Sequence, residues 1–313
     1  MKLLLTGAES PTAKALGELL RQRDIPFVSL SAADLDAADT NQAAKIVSSH
    51  KPDQVVNLAA FEQGSQHALF NARKFETECR RLNTQLITTL ALTCTKLDLP
   101  LLQLSSCYVF DGEKKLGYNE LDEPNPQGVY GRTLLAGETA LQKYDRHVLI
   151  RGGWLFGPGQ DEQVRHWIDE ARRLDGTLTV GRRRFSPTPT EDLARVILAV
   201  CLQVDCGANV WGTYHYCGLE TKKESEFVQQ VLKYAAQHDE TIYQMLENIS
   251  ISEKAVRAPE ITNSTLSSKK IFDTFGIKQR SWHGSLQHTI KTLYQDRKSG
   301  DESVMAQSRG IGG

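Results

Sequence analysis

Tyr130 and the residue four positions after it stand where a hydride-transferring reductase would hold its acid–base group. Tyrosine followed after four residues by lysine is typical of that chemistry, because side chains four apart lie on one helix face. A free tyrosine has a pKa of about 10, and a nearby ammonium is needed to favour the phenolate at neutral pH. In this chain the fourth residue is Leu134, and Arg132 is expected on another face. The sequence therefore keeps the tyrosine and lacks the cation that would activate it.

The loop after the first predicted strand resembles an altered dinucleotide-binding turn. Such a turn uses three glycines, for the tight turn, for close approach of the pyrophosphate and for helix–strand packing. Gly7 stands at the first position, but Ser10 and Ala13 stand at the other two. Ser10 adds a side chain near the phosphate position, Pro11 removes an amide donor, and Glu9 adds negative charge. The helix start can still bind an anion, so a weakened nucleotide site and a capped turn without ligand both stay open.

The second predicted strand, Phe27–Leu30, ends in Ser31 rather than in an acidic residue. An acidic residue there would hold a ribose 2′-hydroxyl and favour NAD. NADPH and NADH are therefore both possible cofactors.

Short apolar runs alternate with amphipathic stretches through the first half of the chain. This alternation predicts an α/β fold, a doubly wound, Rossmann-like parallel sheet with helices on both faces. Ligands in such folds bind beyond the carboxyl ends of the strands. The predicted strands are Leu3–Thr6, Phe27–Leu30, Val55–Ala59, Leu101–Ser105 and Val148–Arg151, and the predicted helices are Thr12–Arg23, Gln42–His50, a long helix reaching Thr95, and Tyr130–Tyr144.

The pattern loosens after Arg151, where residues 152–159 read as a loop. We expect residues 1–155 to form the dinucleotide-binding domain, with the helix Glu191–Leu202 returning to it. Residues 156–296 are expected to form mainly a small substrate-binding lid, which includes a strand beginning near Gly212. The tail, residues 297–313, is rich in Ser, Gly and charge and is expected to be disordered.

Composition limits the classes of partner. The formal net charge of the 313 residues is −1, so we expect no binding to nucleic acid or to a membrane surface. No apolar run approaches membrane-spanning length, and the opening apolar run is too short for a signal peptide. The six cysteines include no Cys-x-x-Cys pair, which indicates buried thiols in a reducing cytoplasm and no metal site.

Two segments carry a resemblance to a known family. Residues 104–112 read Leu-Ser-Ser-Cys-Tyr-Val-Phe-Asp-Gly, and residues 130–138 read Tyr-Gly-Arg-Thr-Leu-Leu-Ala-Gly-Glu. They resemble the Ser-Thr-Asp-Tyr-Val-Phe-x-Gly and Tyr-Gly-Lys-Thr-Lys-Leu-x-Gly-Glu motifs of the dTDP-4-dehydrorhamnose reductase family, a branch of the extended short-chain dehydrogenases/reductases. The resemblance covers nearly the whole chain. Further similar segments are residues 52–60, Asn83, residues 151–157, 186–188, 192–194 and 212–215, and Asn263-Ser264-x-Leu266.

The resemblance implies roles for particular residues. Ser106 and Tyr130 would polarise and protonate a substrate ketone, while a reduced nicotinamide delivers hydride. Tyr108 and Trp154 would lie near the sugar, and Cys107, which replaces the family's Asp, and Asn263 are further candidate substrate contacts. The candidate cofactor contacts are Gly7, Ser10, Pro11, Ala59, Ala60 and Ser105.

The departures from the family pattern fall where cofactor or substrate would bind. They are Leu134, Ser10, Ala13, Cys107 and the pair Glu260-Ile261, which replaces a family Arg-Pro. The hypothesis we favour is a catalytically impaired pseudoenzyme that binds a nucleotide or sugar nucleotide, or regulates a protein partner or forms a homo-oligomer. The regulatory β subunit of methionine adenosyltransferase resembles the same family. The alternative is an active NADPH-dependent reductase of a dTDP-4-keto-6-deoxy sugar.

Three other features receive structural interpretations from the sequence. The basic run 182–184 is predicted to be a solvated loop, with a grip on a diphosphate or acidic partner as the alternative. His215 is predicted to be a core histidine. Cys107, without a neighbouring base, is predicted to be a structural thiol rather than a reactive one.

Overall fold

Six parallel strands form the main sheet, in the order β2-β1-β3-β4-β5-β10. The structure, a computed structural model, describes residues 1–61, 67–173 and 176–309, without the side chains of residues 67 and 297–309. The strands are β1 (Leu3–Thr6), β2 (Phe27–Leu30), β3 (Gln54–Asn57), β4 (Leu101–Ser106), β5 (His147–Gly152), β6 (Trp154–Phe156), β7 (Thr177–Gly181), β8 (Arg184–Phe185), β9 (Pro187–Pro189), β10 (Gly212–Tyr216), β11 (Lys222–Lys223) and β12 (Ser250–Lys254).

Helices cover both faces of this sheet and build the lid. A π-helical segment, Arg81–Leu86, and a 3-10 turn, Cys107–Val109, interrupt the regular elements. The α-helices are α1 (Pro11–Gln22), α2 (Thr40–His50), α3 (His67–Lys74), α4 (Glu76–Arg80), α5 (Ile87–Leu97), α6 (Val129–Leu141), α7 (Glu162–Arg173), α8 (Thr190–Asp205), α9 (Glu224–Ala235), α10 (Glu240–Met245), α11 (Lys269–Phe275) and α12 (His283–Arg309).

The first strand shows why the sheet is covered on both sides. Leu3 and Leu5 are buried in one apolar cluster with residues of α1 and α8, while Leu4 is buried in the opposite cluster with residues of α2 and α5. Successive strand residues point to opposite faces, so an unbroken apolar run is typical of a strand buried on both faces. The predicted doubly wound parallel sheet is confirmed.

A buried polar ladder crosses three strands near their carboxyl ends. Thr6 donates to the Asn57 amide oxygen at 2.5 Å, and the Asn57 amide nitrogen donates to Gln103 at 2.7 Å. All three side chains are fully buried. A register slip of one residue would leave these groups unpaired in the core, which is costly. The ladder therefore fixes the strand ends that carry the site.

More of the second half of the chain belongs to the main sheet and its helix layers than the sequence predicted. The strand predicted near Gly212 for the lid is β10 of the main sheet, paired with β5 from Gly212–Val148 to Tyr216–Gly152. It lies there because Tyr214 and Tyr216 bury their rings in the sheet's apolar cluster. The helix predicted over Glu191–Leu202 is α8 and packs on the same layer.

Two local predictions differ from the structure or stay open. Residues 154–156, predicted as loop, form β6 and pair with β9, because Trp154 and Phe156 are buried in the lid core. The backbone of α12 extends to Arg309, into the predicted disordered tail. Residues 310–313 lie outside the described part of the chain. The disorder of the tail and the domain boundary at residue 155 stay predictions.

A buried ion pair joins α6 to the sheet. The Arg151 guanidinium donates to Glu138 at 2.6 Å, and the Ser105 hydroxyl donates to the same carboxylate at 2.5 Å. On its other side Arg151 donates to His215 Nε2 at 3.4 Å, and His215 Nδ1 donates to the Tyr118 carbonyl at 3.0 Å. His215 is fully buried, which confirms it as a core histidine. The network ties α6 to β4, β5 and β10.

Removing the cation of this pair should destabilise the fold strongly. We expect Arg151→Met to lower the free energy of unfolding by about 3–5 kcal/mol, because Glu138 is left buried without a counter-charge. The matched control is Arg146→Met, since Arg146 pairs with the exposed Asp98 and should cost about 1 kcal/mol or less. Urea denaturation measures both. An equal loss of unfolding free energy in the two variants would show that the buried pair contributes no more to stability than the exposed pair.

His215 should make the fold sensitive to acid. Burial, and then the charge of Arg151, lowers the pKa of His215 to about 3 from an ordinary value near 6.5. The stabilisation from the neutral ring is complete above pH 6.5 and is lost as pH falls through 3, with a total of about 5 kcal/mol. We expect His215→Gln to remove this part of the pH dependence of unfolding, and the exposed His166→Gln to leave it. Identical pH profiles for wild type and His215→Gln would contradict this.

Candidate functional site

The turn after β1 lies against the end of β3, as the sequence predicted. Gly7 has φ +75°, and a Cβ added to it would lie 2.5 Å from the Ala59 backbone nitrogen. Neither the conformation nor the contact suits another residue. The structure thus brings Gly7 and Ala59 together at the carboxyl edge of the sheet, with half-buried Ala60 next in the chain.

Ser10 acts differently from the sequence expectation. Its hydroxyl accepts a hydrogen bond from the Ala13 backbone nitrogen at 3.2 Å, and Ser10 is the N-cap of α1 with Pro11 as first helical residue. The side chain is buried where it caps its own helix. Ala13 is buried in the core, where one methyl group is accommodated. Whether this loop binds a cofactor more weakly than a glycine-rich turn stays a prediction.

Two amides of the loop already have protein acceptors. The Ala8 nitrogen donates to the Leu30 carbonyl at 3.0 Å, the Ser10 nitrogen donates to Gly7 at 2.8 Å, and Pro11 has no donor. In the part of the chain that the structure describes, the Glu9 and Thr12 nitrogens have no protein acceptor. These two amides at a helix start are what remains to bind an anion. Pyrophosphate binding by this loop stays a prediction.

Close backbone packing sets Tyr130 beside the strand ends. A Cβ on Gly131 would lie 2.1 Å from the Tyr108 carbonyl oxygen, so only glycine lets α6 approach the 3-10 turn this closely. The Tyr108 and Tyr130 rings meet edge to face with centroids 6.2 Å apart. Ser106 caps the same turn by accepting from the Tyr108 nitrogen at 3.4 Å. Ser106, Tyr108 and Tyr130 are thus grouped at the carboxyl end of β4.

Leu134 occupies the position of the lysine as a packed apolar residue. Leu134 is 1% exposed and Tyr130 3% exposed, and both belong to one cluster with Phe61, Leu69 and Val129. Arg132 is exposed, on another face of α6 as the helical spacing predicted. The site therefore places aliphatic carbon where the mechanism implied by the resemblance needs an ammonium.

Asn83 sits in the π-helical segment, where the sequence predicted an unbroken helix. Its side-chain oxygen accepts from the Phe61 nitrogen at 2.9 Å, and its amide donates to Thr133 at 3.1 Å. A Cβ on Gly137 would lie 2.1 Å from the Asn83 carbonyl, so α6 packs directly on this segment. Segments of this kind are frequent at functional sites. Asn83 connects the loop after β3 to the helix of Tyr130.

Arg182 and Arg184 of the predicted solvated run are exposed, but Arg183 is not. It is buried, with Nη2 donating to Glu224 at 2.9 Å and Nη1 donating to Glu260 at 3.3 Å. The pKa of Tyr108 is raised by burial and lowered in part by the charge of Arg183. Nothing in the sequence signals the contact with Glu224, which is 41 residues away. Arg183 is thus engaged by carboxylates of the chain itself.

The other predicted substrate contacts are structural in this conformation. Trp154 packs among the lid aromatics, with its ring centroid 4.8 Å from that of Phe185. Asn263 donates to the Lys114 carbonyl at 2.6 Å. Cys107 is fully buried, and burial raises the pKa of its thiol to about 12, so it is not a reactive thiolate. Substrate binding by these three residues stays a prediction.

The described residues contain no cluster of three or more His, Cys, Asp or Glu suited to a metal ion. In the same part of the chain, every helix is too short or too polar to cross a bilayer.

The parallel sheet, the Gly7 turn and the grouping of Ser106 with Tyr130 define a Rossmann-like protein of the extended short-chain dehydrogenase/reductase class. A family model described as the RmlD substrate binding domain matches residues 1–295. The chain belongs to this family, that of the dTDP-4-dehydrorhamnose reductases, which confirms the resemblance.

Known relatives agree with this assignment. The chain is 27% identical over 303 residues to a dTDP-4-dehydrorhamnose reductase of Sinorhizobium fredii, covering 95% of this chain and 99% of the relative. A crystal structure of a dTDP-4-dehydrorhamnose reductase from Clostridium acetobutylicum has a TM-score of 0.80 at 26% identity, covering 94% and 99% of the two chains. The fold is also shared with a Bacillus anthracis dTDP-4-dehydrorhamnose reductase solved in complex with NADP, with a TM-score of 0.76 at 21% identity and coverage of 93% and 98%.

The packing of α6 at Gly131 should be intolerant of a single methyl group. We expect Gly131→Ala to lower the free energy of unfolding by about 1–3 kcal/mol, because the Cβ must displace the Tyr108 carbonyl or the helix. The control is Gly284→Ala in α12, where an added Cβ meets nothing within 4 Å. Thermal unfolding compares them. A Gly131→Ala variant as stable as the control would show that α6 does not need this approach.

Proposed function

We propose that this protein is a catalytically impaired member of its family that binds a nucleotide or sugar nucleotide and acts as a regulatory pseudoenzyme. The observation that carries the proposal is Leu134, buried in the apolar cluster of Tyr130 where the reductase motif has lysine. Without that ammonium, a pKa shift of about 2–3 units for the tyrosine is lost, or about 3–4 kcal/mol. This corresponds to about two to three decades in rate.

The loop after β1 suits the pyrophosphate of a dinucleotide better than the position of Leu134 suits its nicotinamide ribose. Gly7, Ala59 and Ala60 shape the turn, and the Glu9 and Thr12 amides can hold a pyrophosphate. At the nicotinamide ribose, Leu134 offers no hydrogen bond. A bound NADPH or NADH would supply hydride, while Tyr130 and Ser106 would hold the substrate oxygen. We infer a weakened cofactor site without metal.

The proposed ligand, partner and cellular compartment follow from the same reasoning. A nucleotide-binding protein with low turnover acts through what it binds, so we propose a sugar nucleotide as ligand and a protein partner or a second copy as the regulated component. All six cysteines are free, and five are buried, which is consistent with a reducing cytoplasm.

The alternative is an active NADPH-dependent reductase of a dTDP-4-keto-6-deoxy sugar. It is supported by the grouping of Ser106, Tyr108 and Tyr130, and by relatives named dTDP-4-dehydrorhamnose reductase that match nearly the whole chain. In this case an unusual contact would replace the lysine.

Turnover of a dTDP-4-keto-6-deoxy sugar, measured with NADPH and separately with NADH, tests the proposal. We expect a wild-type rate far below the ordinary range of about 1–1000 per second. Leu134→Lys should raise the rate or the affinity for NADPH, and Tyr130→Phe added to it should abolish the gain. The matched control is Leu135→Lys, which places the same cation on the next, partly buried position.

The outcomes separate the two functions. A wild-type rate in the ordinary range that Tyr130→Phe abolishes would establish the active reductase and reject the pseudoenzyme. A slow wild type that Leu134→Lys improves and Leu135→Lys does not would locate the defect at residue 134. Circular dichroism and urea denaturation of Leu134→Lys show whether the buried lysine is tolerated.

A further inference from the structure

Two neighbouring loops are joined at the edge of the sheet where β1 and β2 end. The Ala8 nitrogen in the first loop donates to the Leu30 carbonyl at the end of β2, at 3.0 Å. The Ala32 nitrogen in the second loop donates to the Glu9 carboxylate of the first, at 3.4 Å. The Glu9 side chain therefore reaches across from the cofactor loop to the end of β2.

This is the place where a dinucleotide fold distinguishes its cofactors. In that fold, an acidic residue about 20 positions after the glycine turn binds the adenosine ribose 2′-hydroxyl, and an arginine there accommodates a 2′-phosphate. Here β2 ends at Leu30, and the residue that follows it is Ser31 rather than an acidic residue. The carboxylate comes instead from Glu9, out of the preceding loop.

The surrounding charges oppose a second phosphate. The Asp34 carboxylate folds back to accept from the Ser31 nitrogen at 2.6 Å, so a second anion lies at the end of β2. Arg81 is bound through Nη2 and Nε to the Glu78 carboxylate at 2.7 and 2.8 Å. Glu78, and at longer range Asp36 and Glu9, raise the pKa of Arg81. Arg81 is therefore already paired with a carboxylate.

We propose that the nucleotide site of this protein selects an adenosine ribose with a free 2′-hydroxyl, as in NADH, over the 2′-phosphate of NADPH, and that Glu9 makes the selection. A carboxylate can accept a hydrogen bond from the hydroxyl, whereas it repels a phosphate that carries about −1.5 to −2 charges. This inference rests on the proposed nucleotide binding and adds the class of cofactor.

Isothermal titration calorimetry of the full chain tests the selection with four ligands. These are NADH, NADPH, ADP and adenosine 2′-phosphate 5′-diphosphate, and the last two test the adenosine half independently of Leu134. We expect each 2′-hydroxyl ligand to bind about tenfold tighter than its 2′-phosphate counterpart. This ratio corresponds to the free energy of one hydrogen bond to a charged group. Because Glu9 is exposed, added salt should reduce this ratio.

Two variants assign the selection to Glu9. Glu9→Gln should reduce the ratio several-fold by removing the charge. Glu18→Gln makes the same change on the exposed face of α1, where Glu18 pairs with Arg21 at 2.7 Å, and should leave the ratio unchanged. An unchanged ratio in Glu9→Gln would overturn the role of Glu9.

The remaining outcomes keep this inference apart from the proposed function. If the 2′-phosphate ligands bind as tightly as the 2′-hydroxyl ligands or more tightly, the selection is wrong and nucleotide binding stands. If none of the four ligands binds at millimolar concentration, nucleotide binding itself fails, and the selection fails with it.

Discussion

The buried pair of Glu138 and Arg151 is the constraint on which the arrangement of the site depends. Two charges in the core are tolerated only when their remaining hydrogen-bonding groups are also satisfied, and Ser105 and His215 do this here. Because the pair joins α6 to β4, β5 and β10, the helix that carries Tyr130 has one position on the sheet. The glycines of α6 then determine how closely it approaches.

The sequence predicted the sheet well because its strands are local and strongly apolar. Leu3–Thr6 and Phe27–Leu30 were predicted to their end residues, since short, mainly apolar runs between turn residues permit few alternatives. The strand β10 was placed in the lid because a short run between loops does not reveal which sheet it joins. The π-helical segment at Asn83 was missed, and Gly137, which packs on it, lies 54 positions further along the chain.

The candidate site was predictable in its residue types and less so in its contacts. Leu134 and Arg132 behave as helical spacing requires, because that rule is local. The role of Ser10 was left open because a serine before a helix can point toward a ligand or cap its own helix, and the sequence is the same in both cases. The burial of Arg183 depends on Glu224 and Glu260, which reach it only through the tertiary fold.

The capping of α1 by Ser10 has a consequence for how the protein responds to its ligand. In a loop whose helix start is completed by phosphate, release of the nucleotide leaves amides exposed and the loop free to rearrange. Here Ser10 and Leu30 already satisfy the Ala13 and Ala8 amides. The loop is therefore preorganised without ligand, and occupancy would be reported to a partner by the charge and surface of the ligand rather than by a change in backbone shape.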